Sequence, residues 1–314
     1  MKKLLIAAAT AFALAASAAH ADQFVNVLTG GTSGVYYPLG VALTKIIADK
    51  VPGAKPSAQA TKASAENLNL LQAGRGEIAF TLGDTLGDAW TGNKDAGFKV
   101  PLKKLRGIAA IYPNYIQIVA RADSGIKGIA DLKGKRVSVG APKSGTELNA
   151  RAIFGANGIK YSDFTKTEYL PFGESVQLIQ NRQLDATLIS AGLGVAAIRD
   201  LASNTAITVV TITPAEIAKI GNPVFQPATI PANTYNGQTA AVPTVAIQNY
   251  LVTQQGAPEA LIYSITKAIY ENLPSLVAAH SAAKAIKLGA ATQGMPLPLH
   301  PGAAKYFKEK GILK

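Results

Sequence analysis

Apolar residues fall along this chain in short blocks whose spacing switches between two periods, with glycine-rich or polar breaks at each switch. Short apolar or alternating runs at 24–28, 56–60 and 77–82 predict strands. Longer runs with helical spacing at 38–50, 64–73 and 85–91 predict helices, Pro38 standing near the first turn of one and Gly74 stopping the next. The same order returns at 136–140, 167–170 and 185–190 for strands, and at 145–157, 174–181 and 193–202 for helices, Gly158 ending the first of these. Both halves therefore carry a β-α-β-α-β-α rhythm. Strands alternating with helices imply parallel sheets that receive ligands at the strand C-terminal ends.

Between the halves, IAAIYPNYIQIVARADSG at 108–125 reads as a β-rich crossing from one lobe to the other. AITVVTI at 206–212 and VPTVAIQNYLVTQ at 242–254 are further strands, one of which carries the chain back. The Pro-, Gly- and Asn-rich stretch 221–240 is expected to be irregular. PEALIYSITKAIYENL and AAHSAAKAIKL read as helical and are expected to pack on the first lobe. Two crossings make that lobe discontinuous. The expected division is 22–120 plus 245–314 for lobe 1 and 121–244 for lobe 2, an α/β architecture with crossing strands and a central ligand cleft.

Chemistry gathers at the strand ends. FVNVLTGGTSGVYYPLG at 24–40 and RVSVGAPKSGTELNARA at 136–152 each run from a strand through a Gly/Ser/Thr loop into a helix. Such a junction aims free backbone N–H groups and a helix N-terminus at one spot, which suits an anion. At the first junction Thr32, Ser33 and Tyr36 are expected to contact a ligand, although Gly30, Gly31 and Gly34 would also serve a tight turn and Ser33 a helix cap. At the second, Ser144, Gly145 and Thr146 are the opposing contacts. Ser144 with Glu147 also spells a capping box, so Glu147 reads as structural.

Gln59 and Thr61 close another strand with an amide and a hydroxyl on one face. Asp84 follows a strand end, where it can accept from a ligand ammonium or simply cap a helix. Ser190 and Ala191 end the equivalent strand of the second half. Asn67 reads as a helix-surface residue or a loop brace. Arg121 and Arg151 have the right chemistry for a carboxylate clamp, but their positions place neither in the cleft.

The N-terminus changes the setting. Met1-Lys2-Lys3, an apolar run from Leu4 to Ala18 and Ala19-His20-Ala21 form an export signal over residues 1–21, with the mature chain expected to begin at Asp22. The run is short for a membrane span, and no later stretch suits one. The sequence holds no cysteine, which excludes disulfides, thiolate chemistry and a lipid-modified cysteine. Export without a lipid anchor points to the periplasm. The net charge of +12 is spread along the chain and not interleaved with aromatics, so nucleic acid is not an expected partner. No metalloprotease helix motif, nucleophile elbow or phosphate loop occurs. The chain after the signal has only His280 and His300, and no carboxylate pair stands out. An enzyme is not expected, nor a metal or cofactor.

The sequence resembles the TAXI-type extracytoplasmic solute receptors of TRAP transporters. The resemblance rests on TGGTSGVYYPLG (29–40), SAQAT (57–61), ENLNLLQAG (66–74), RADSGIKGIADLKGKRVSVGAPKSGTELNAR (121–151), TIPANTYNGQ (229–238), VPT (242–244) and PLPLHPGAAKYF (296–307). These segments agree in order and spacing over nearly the whole chain after the signal. The resemblance implies a type II-like two-lobed periplasmic binding protein that captures a small organic anion such as glutamate or 2-oxoglutarate. It would hand that solute to TRAP membrane subunits and not itself be membrane-embedded. A receptor for an ATP-driven (ABC) importer, or an accessory to a membrane sensor, is the alternative. The sequence departs from the resembled pattern at Lys62 and Ala63, where two glycines are common, and at Leu188-Ile189, where an aromatic pair is usual. TLGDTLGDAW after Phe80 also lacks the more frequent Gln before the Asp.

Overall fold

The computed structural model describes residues 23–314, so the expected export signal lies outside the described residues. The first half is built from β1 (Gln23–Leu28), α1 (Tyr36–Lys50), β2 (Ala54–Gln59), α2 (Ser64–Gln72), β3 (Ile78–Leu82) and α3 (Gly83–Thr91). A long strand, β4 (Leu105–Arg121), leaves it. The second half follows with β5 (Arg136–Ser138), α4 (Gly145–Ala156), β6 (Lys166–Glu168), α5 (Phe172–Gln180), β7 (Ala186–Ala191) and α6 (Ala196–Asn204). Then come β8 (Ile207–Val210), α7 (Pro214–Ala218), β9 (Gln226–Ile230) and a second long strand, β10 (Val242–Gln254). Helices α8 (Glu259–Glu271), α9 (Leu273–Ala279) and α10 (Pro301–Glu309) finish the chain.

The strands join in one mixed sheet, ordered β2-β1-β3-β10-β4-β7-β5-β6, with β8 on β4 and β9 on β10. Within each half the pairs β1–β2, β1–β3, β5–β6 and β5–β7 are parallel, as the β-α alternation requires. β10 runs antiparallel to both β3 and β4, and β4 antiparallel to β7. β4 and β10 are thus the two crossings, and of the two strands expected to return the chain, 242–254 is the one that does. Every residue of β3 and β7 is buried, which is why both read as unbroken apolar-rich runs. β2 lies at the sheet edge, alternates in exposure and tolerates Pro56.

Two stretches differ from the sequence expectation. Inside the supposedly irregular 221–240, β9 pairs antiparallel with Val242–Ala246 of β10. Pro227 disguises it, because a proline is acceptable in a strand that has a partner on one side only. AAHSAAKAIKL is not one helix. His280 takes an extended conformation, φ −159° and ψ 133°, and its ring accepts from Ala282 N at 3.1 Å. That cap starts a short 3-10 turn over Ser281–Ala285. The apolar face is there, but the turn that His280 caps divides it.

Among the described residues three buried apolar clusters form, and the crossing strands feed all of them: Ile108 and Ile111 one, Ile116, Ile118 and Ile247 another, Ala110 and Tyr250 the third. The pairing of β10 with β4 shifts register between Gln248 and Tyr250. Asn249 at that irregularity turns inward, donating to Tyr112 O at 2.8 Å and to Asn114 Oδ1 at 2.7 Å, and accepting from the Tyr36 hydroxyl. Such a shift disrupts the backbone ladder locally and re-aims a side chain that the regular pleat would point elsewhere. The first helix is thereby tied to both crossings.

Candidate functional site

A cavity of about 100 Å³ opens where the strand ends of both halves meet the crossings. The first half contributes Gly30, Gly31, Gly34, Val35 and Tyr36 from the β1–α1 junction and Thr61, Lys62, Ala63 and Ser64 from the β2–α2 junction. The second half contributes Ala141, Ser144, Gly145 and Thr146, then Pro171 and Phe172, then Ser190 and Ala191 at the end of β7. Tyr112 and Asn114 come from β4.

Of the residues singled out from sequence, Tyr36, Thr61, Ser144, Gly145, Thr146, Ser190 and Ala191 line this cavity together. Thr32, Ser33, Gln59 and Asp84 lie outside the lining. Thr32 is exposed, and Ser33 accepts at its backbone oxygen from Ala197 N across the cleft at 3.3 Å. Gln59 accepts from Asn26 Nδ2 at 2.6 Å. Asp84 is buried against Asn149, 2.5 Å away.

The two helix starts differ in how they are capped. Ser144 Oγ accepts from Glu147 N at 3.1 Å, so Ser144 caps α4 while its own hydroxyl proton stays free. Glu147 does not reach back to complete the box. Its carboxylate instead takes Arg151 at 2.7 Å and the Tyr161 hydroxyl at 3.1 Å. At α1 no side chain caps the first turn. Its first N–H groups are among the orphan donors that every helix start presents, and Val35 and Tyr36 face the cavity lining.

The β2–α2 junction is held rigidly. Asn67 is fully buried and donates to Thr29 O at 2.7 Å and Phe80 O at 2.9 Å, so it braces two strand ends. Thr61 Oγ1 lies 2.6 Å from Asn67 Oδ1 and accepts from Ala63 N at 2.9 Å. Ala63 itself sits at φ 70°, ψ −149°, a region that side chains rarely occupy. A glycine would be at ease there. Arg121 and Arg151 both stay outside: Arg121 pairs with Asp123 at 2.8 Å, and Arg151 with Glu147.

The cavity wall is mostly apolar, interrupted by a few hydroxyls and amides, and nearly uncharged. Lys62, exposed at its edge, is the one cationic residue in the lining, and no carboxylate lines it among the described residues. Two of its hydroxyls are orphans. Tyr112 Oη and Ser190 Oγ are buried and have no hydrogen-bond partner among the described residues. Burial raises the Tyr36 and Tyr112 phenols far above the ordinary tyrosine range, so both act as neutral hydroxyls. Asn114 donates to Ser190 O at 2.9 Å, fixing the end of β7 against the crossing strand.

Tyr112, Asn114, Ser64 and Phe172 escaped the sequence reading. Asn114 carried a usable signal, since an asparagine in the middle of an apolar strand is disfavoured unless something needs its amide. Phe172 carried none. It reaches the cavity only because α5 packs its start over Gly34, whose added Cβ would lie 3.7 Å from the ring.

A protein-family model described as the NMT1-like family matches residues 27–311. The chain belongs to the NMT1-like family. Among solved structures, this family member shares its fold with PhnD1 from Prochlorococcus marinus in complex with methylphosphonate (12% identity, TM-score 0.57, covering 85% of this chain and 92% of that one). A binding protein component of an ABC phosphonate transporter from Pseudomonas aeruginosa aligns at 10% identity and TM-score 0.54, over 85% of this chain and 80% of that one. A putative L-cystine ABC transporter protein from Listeria monocytogenes aligns at 16% identity and TM-score 0.52, over 84% and 98%. At such identities the likeness is one of fold: a mixed α/β, two-lobed periplasmic binding protein.

Proposed function

We propose that this member of the NMT1-like family is a periplasmic receptor that captures a small organic anion between its halves and delivers it to a membrane importer. The observation that carries the reading is the pair of buried, unpartnered hydroxyls, Tyr112 Oη and Ser190 Oγ, on residues that line a cavity bordered by the N-termini of α1, α2, α4 and α5. A buried hydroxyl without a partner is costly, so a polar ligand group that reached either one would be favoured. Tyr36, Thr61, Ser144, Gly145, Thr146, Ser190 and Ala191 are the proposed contacts, with Lys62 favouring negative charge at the edge. The lining offers no carboxylate for an ammonium group, so an anion without one, such as a carboxylate or phosphonate, suits it better than glutamate. A void of about 100 Å³ is below the roughly 150 Å³ that holds a benzene, so compact anions fit as the halves stand and longer dicarboxylates require them to part.

The hinge of such a receptor would lie in β4 and β10, with lobes close to 22–120 plus 245–314 and 121–244. Among the described residues no helix is long and apolar enough to cross a membrane, and the export signal expected at residues 1–21 supports a periplasmic location. The names of the structural neighbours favour an ATP-driven importer as the partner. The TAXI-like segments, TGGTSGVYYPLG above all, favour a TRAP-type permease. Uptake into vesicles carrying the permease encoded beside this gene decides between them: dependence on ATP supports the first, dependence on an ion gradient the second.

The receptor reading is tested by thermal shift on refolded, ligand-free protein with methylphosphonate, succinate, 2-oxoglutarate, L-glutamate and neutral amino acids and sugars. A tight ligand raises the melting temperature in proportion to the logarithm of its excess over Kd. A selective rise with one of the acids is the expected result. Rises confined to neutral sugars or amino acids would overturn the anion assignment.

A further inference from the structure

Helix α4 of the second half presses directly on the first. A Cβ built at Gly145 would come within 2.6 Å of both the Leu82 and the Ser64 side chains, so any larger residue there would force them to shift. One turn further, Leu148 packs with the cluster containing Leu68, Leu71 and Leu86, and Arg151 Nη1 donates to Asp95 O at 2.7 Å. In the middle of this contact Asn149 Nδ2 lies 2.5 Å from Asp84 Oδ2. Both residues are buried, and Asn149 Oδ1 has no partner among the described residues.

Asp84 makes no ion pair among the described residues. The ionisable groups that act on or feel Asp84 are Asp88 on the same helix and Tyr36 from α1; on α4, Glu147 and Arg151 flank Asn149 in sequence and pair with each other. Asp88 repels a charge on Asp84, while Arg151 is engaged by Glu147 and Asp95 O. A carboxylate buried without a cation is expensive and tends to keep its proton. Burial, helped by the Asp88 charge, pushes the Asp84 carboxyl up to about 7. With a proton on Asp84 and the amide turned over, the acid O–H donates to Asn149 Oδ1 in place of the Nδ2 bond, and Nδ2 moves to the position Oδ1 held.

We propose that Asp84 and Asn149 form a proton-loaded latch between the halves, in which the closed arrangement takes up a proton on Asp84 that the open one releases to water. Solute capture is then coupled to proton uptake. The sign follows from the two states. In the open state Asp84 is solvated and ionises in the ordinary carboxylate range near 4. In the closed state it holds its proton to higher pH. Closure is therefore favoured in acid, weakens as pH rises from about 4 toward about 7, and levels off above.

The latch is read without solute, so its failure and that of the receptor reading are separable. Because the sequence holds no cysteine, exposed Asn69 and Lys160, one per half, can be changed to cysteine and labelled with a pH-insensitive donor–acceptor dye pair. Energy transfer then reports the closed-to-open ratio of the ligand-free protein between pH 5 and 8. The parent is expected to lose closed population at least fivefold from pH 5 to pH 7.5. Asp84→Asn, neutral throughout, should flatten that change to within twofold, and Asn149→Ala should lower the closed population at pH 5 at least fivefold. A profile for Asp84→Asn as steep as the parent's, or an Asn149→Ala protein that closes like the parent at pH 5, would overturn the latch. If Asp84→Asn does not fold, Asn149→Ala decides alone.

Discussion

Tyr112 and Ser190 show how a single hydroxyl separates stability from function. In a purely structural residue, removal of a buried hydroxyl costs stability because its partner loses a bond. Here there is no partner to lose. Tyr112→Phe and Ser190→Ala are therefore expected to leave the melting temperature unchanged or raise it, while each weakens solute binding about tenfold, the worth of one net hydrogen bond of ~1.4 kcal/mol. Titration calorimetry beside thermal denaturation checks both halves of the statement. A lowered melting temperature with unchanged affinity would make the hydroxyls structural. Ala63 invites the opposite change. Its φ of 70° stores strain on the order of 1 kcal/mol, which Ala63→Gly would release. The expected outcome is a melting temperature higher by about 2 °C in a chain of this size. The sequence displayed Ala63 and Lys62 as departures from a glycine pair, but the strain is a property of the backbone that no composition reveals.

At the scale of elements, the crossing strands do more than connect. Asn249 gathers α1, β4 and β10 through Tyr36, Tyr112 and Asn114. Asn249→Ala strips those groups of partners in a buried place, and a loss of about 2–4 kcal/mol in urea unfolding is expected. A loss below 1 kcal/mol would show that the three elements hold together by apolar contact alone. In the second half, Arg136 grips Asp185 through Nε at 3.0 Å and Nη2 at 2.7 Å, and its backbone N–H adds a third bond at 2.9 Å. These bonds hold the Asp185 carboxyl below the usual carboxylate range. The lowered value means the pair stabilises at neutral pH and loses its effect as pH falls through and below that range. Asp185→Asn should thus destabilise the protein at pH 7 and make little difference near pH 2, which denaturant melts at the two pH values will show. Most elements were legible in the sequence because period and punctuation agree, as in α2 ending at Gly74. β9 was not, because a proline-bearing edge strand lacks the apolar alternation by which strands are recognised. The helical reading of AAHSAAKAIKL failed for a local reason, the His280 ring taking the place of a continuing helical bond.

The whole molecule closes on α4. The contact of Gly145 with Leu82 and Ser64, the bond of Arg151 to Asp95 and the Asp84–Asn149 pair all join one half to the other. Opposed pKa shifts follow. Asp84, raised to about 7, favours the closed fold at low pH and loses that effect as pH climbs from about 4 toward 7, whereas Asp185, lowered, supports the fold above the carboxylate range. Maximum stability is accordingly expected on the acid side of neutrality, and melting temperatures measured from pH 3 to 9 should peak there. Asp84→Asn should move the peak toward higher pH; a peak that stays in place would remove Asp84 from the balance.

By itself the sequence determined the alternation of strands and helices, the two glycine-rich strand-to-helix junctions and the crossing at 108–125, because each is encoded in neighbouring residues: a period, a cap, a break. It also placed Tyr36, Thr61, Ser144, Gly145, Thr146, Ser190 and Ala191 at strand ends, which a parallel sheet brings to one side. Which of the strand-end residues share the cavity was decided only by the tertiary structure. Thr32, Ser33, Gln59 and Asp84 satisfy every local criterion that Thr61 and Ser144 satisfy. They differ in what stands opposite them, and that is set by residues far away in the chain: Ala197 against Ser33, Asn149 against Asp84. The cavity itself, with Tyr112 and Asn114 from β4 between the two junctions, exists because two long strands carry the chain from one half to the other and back, and distance along the sequence holds no record of that meeting.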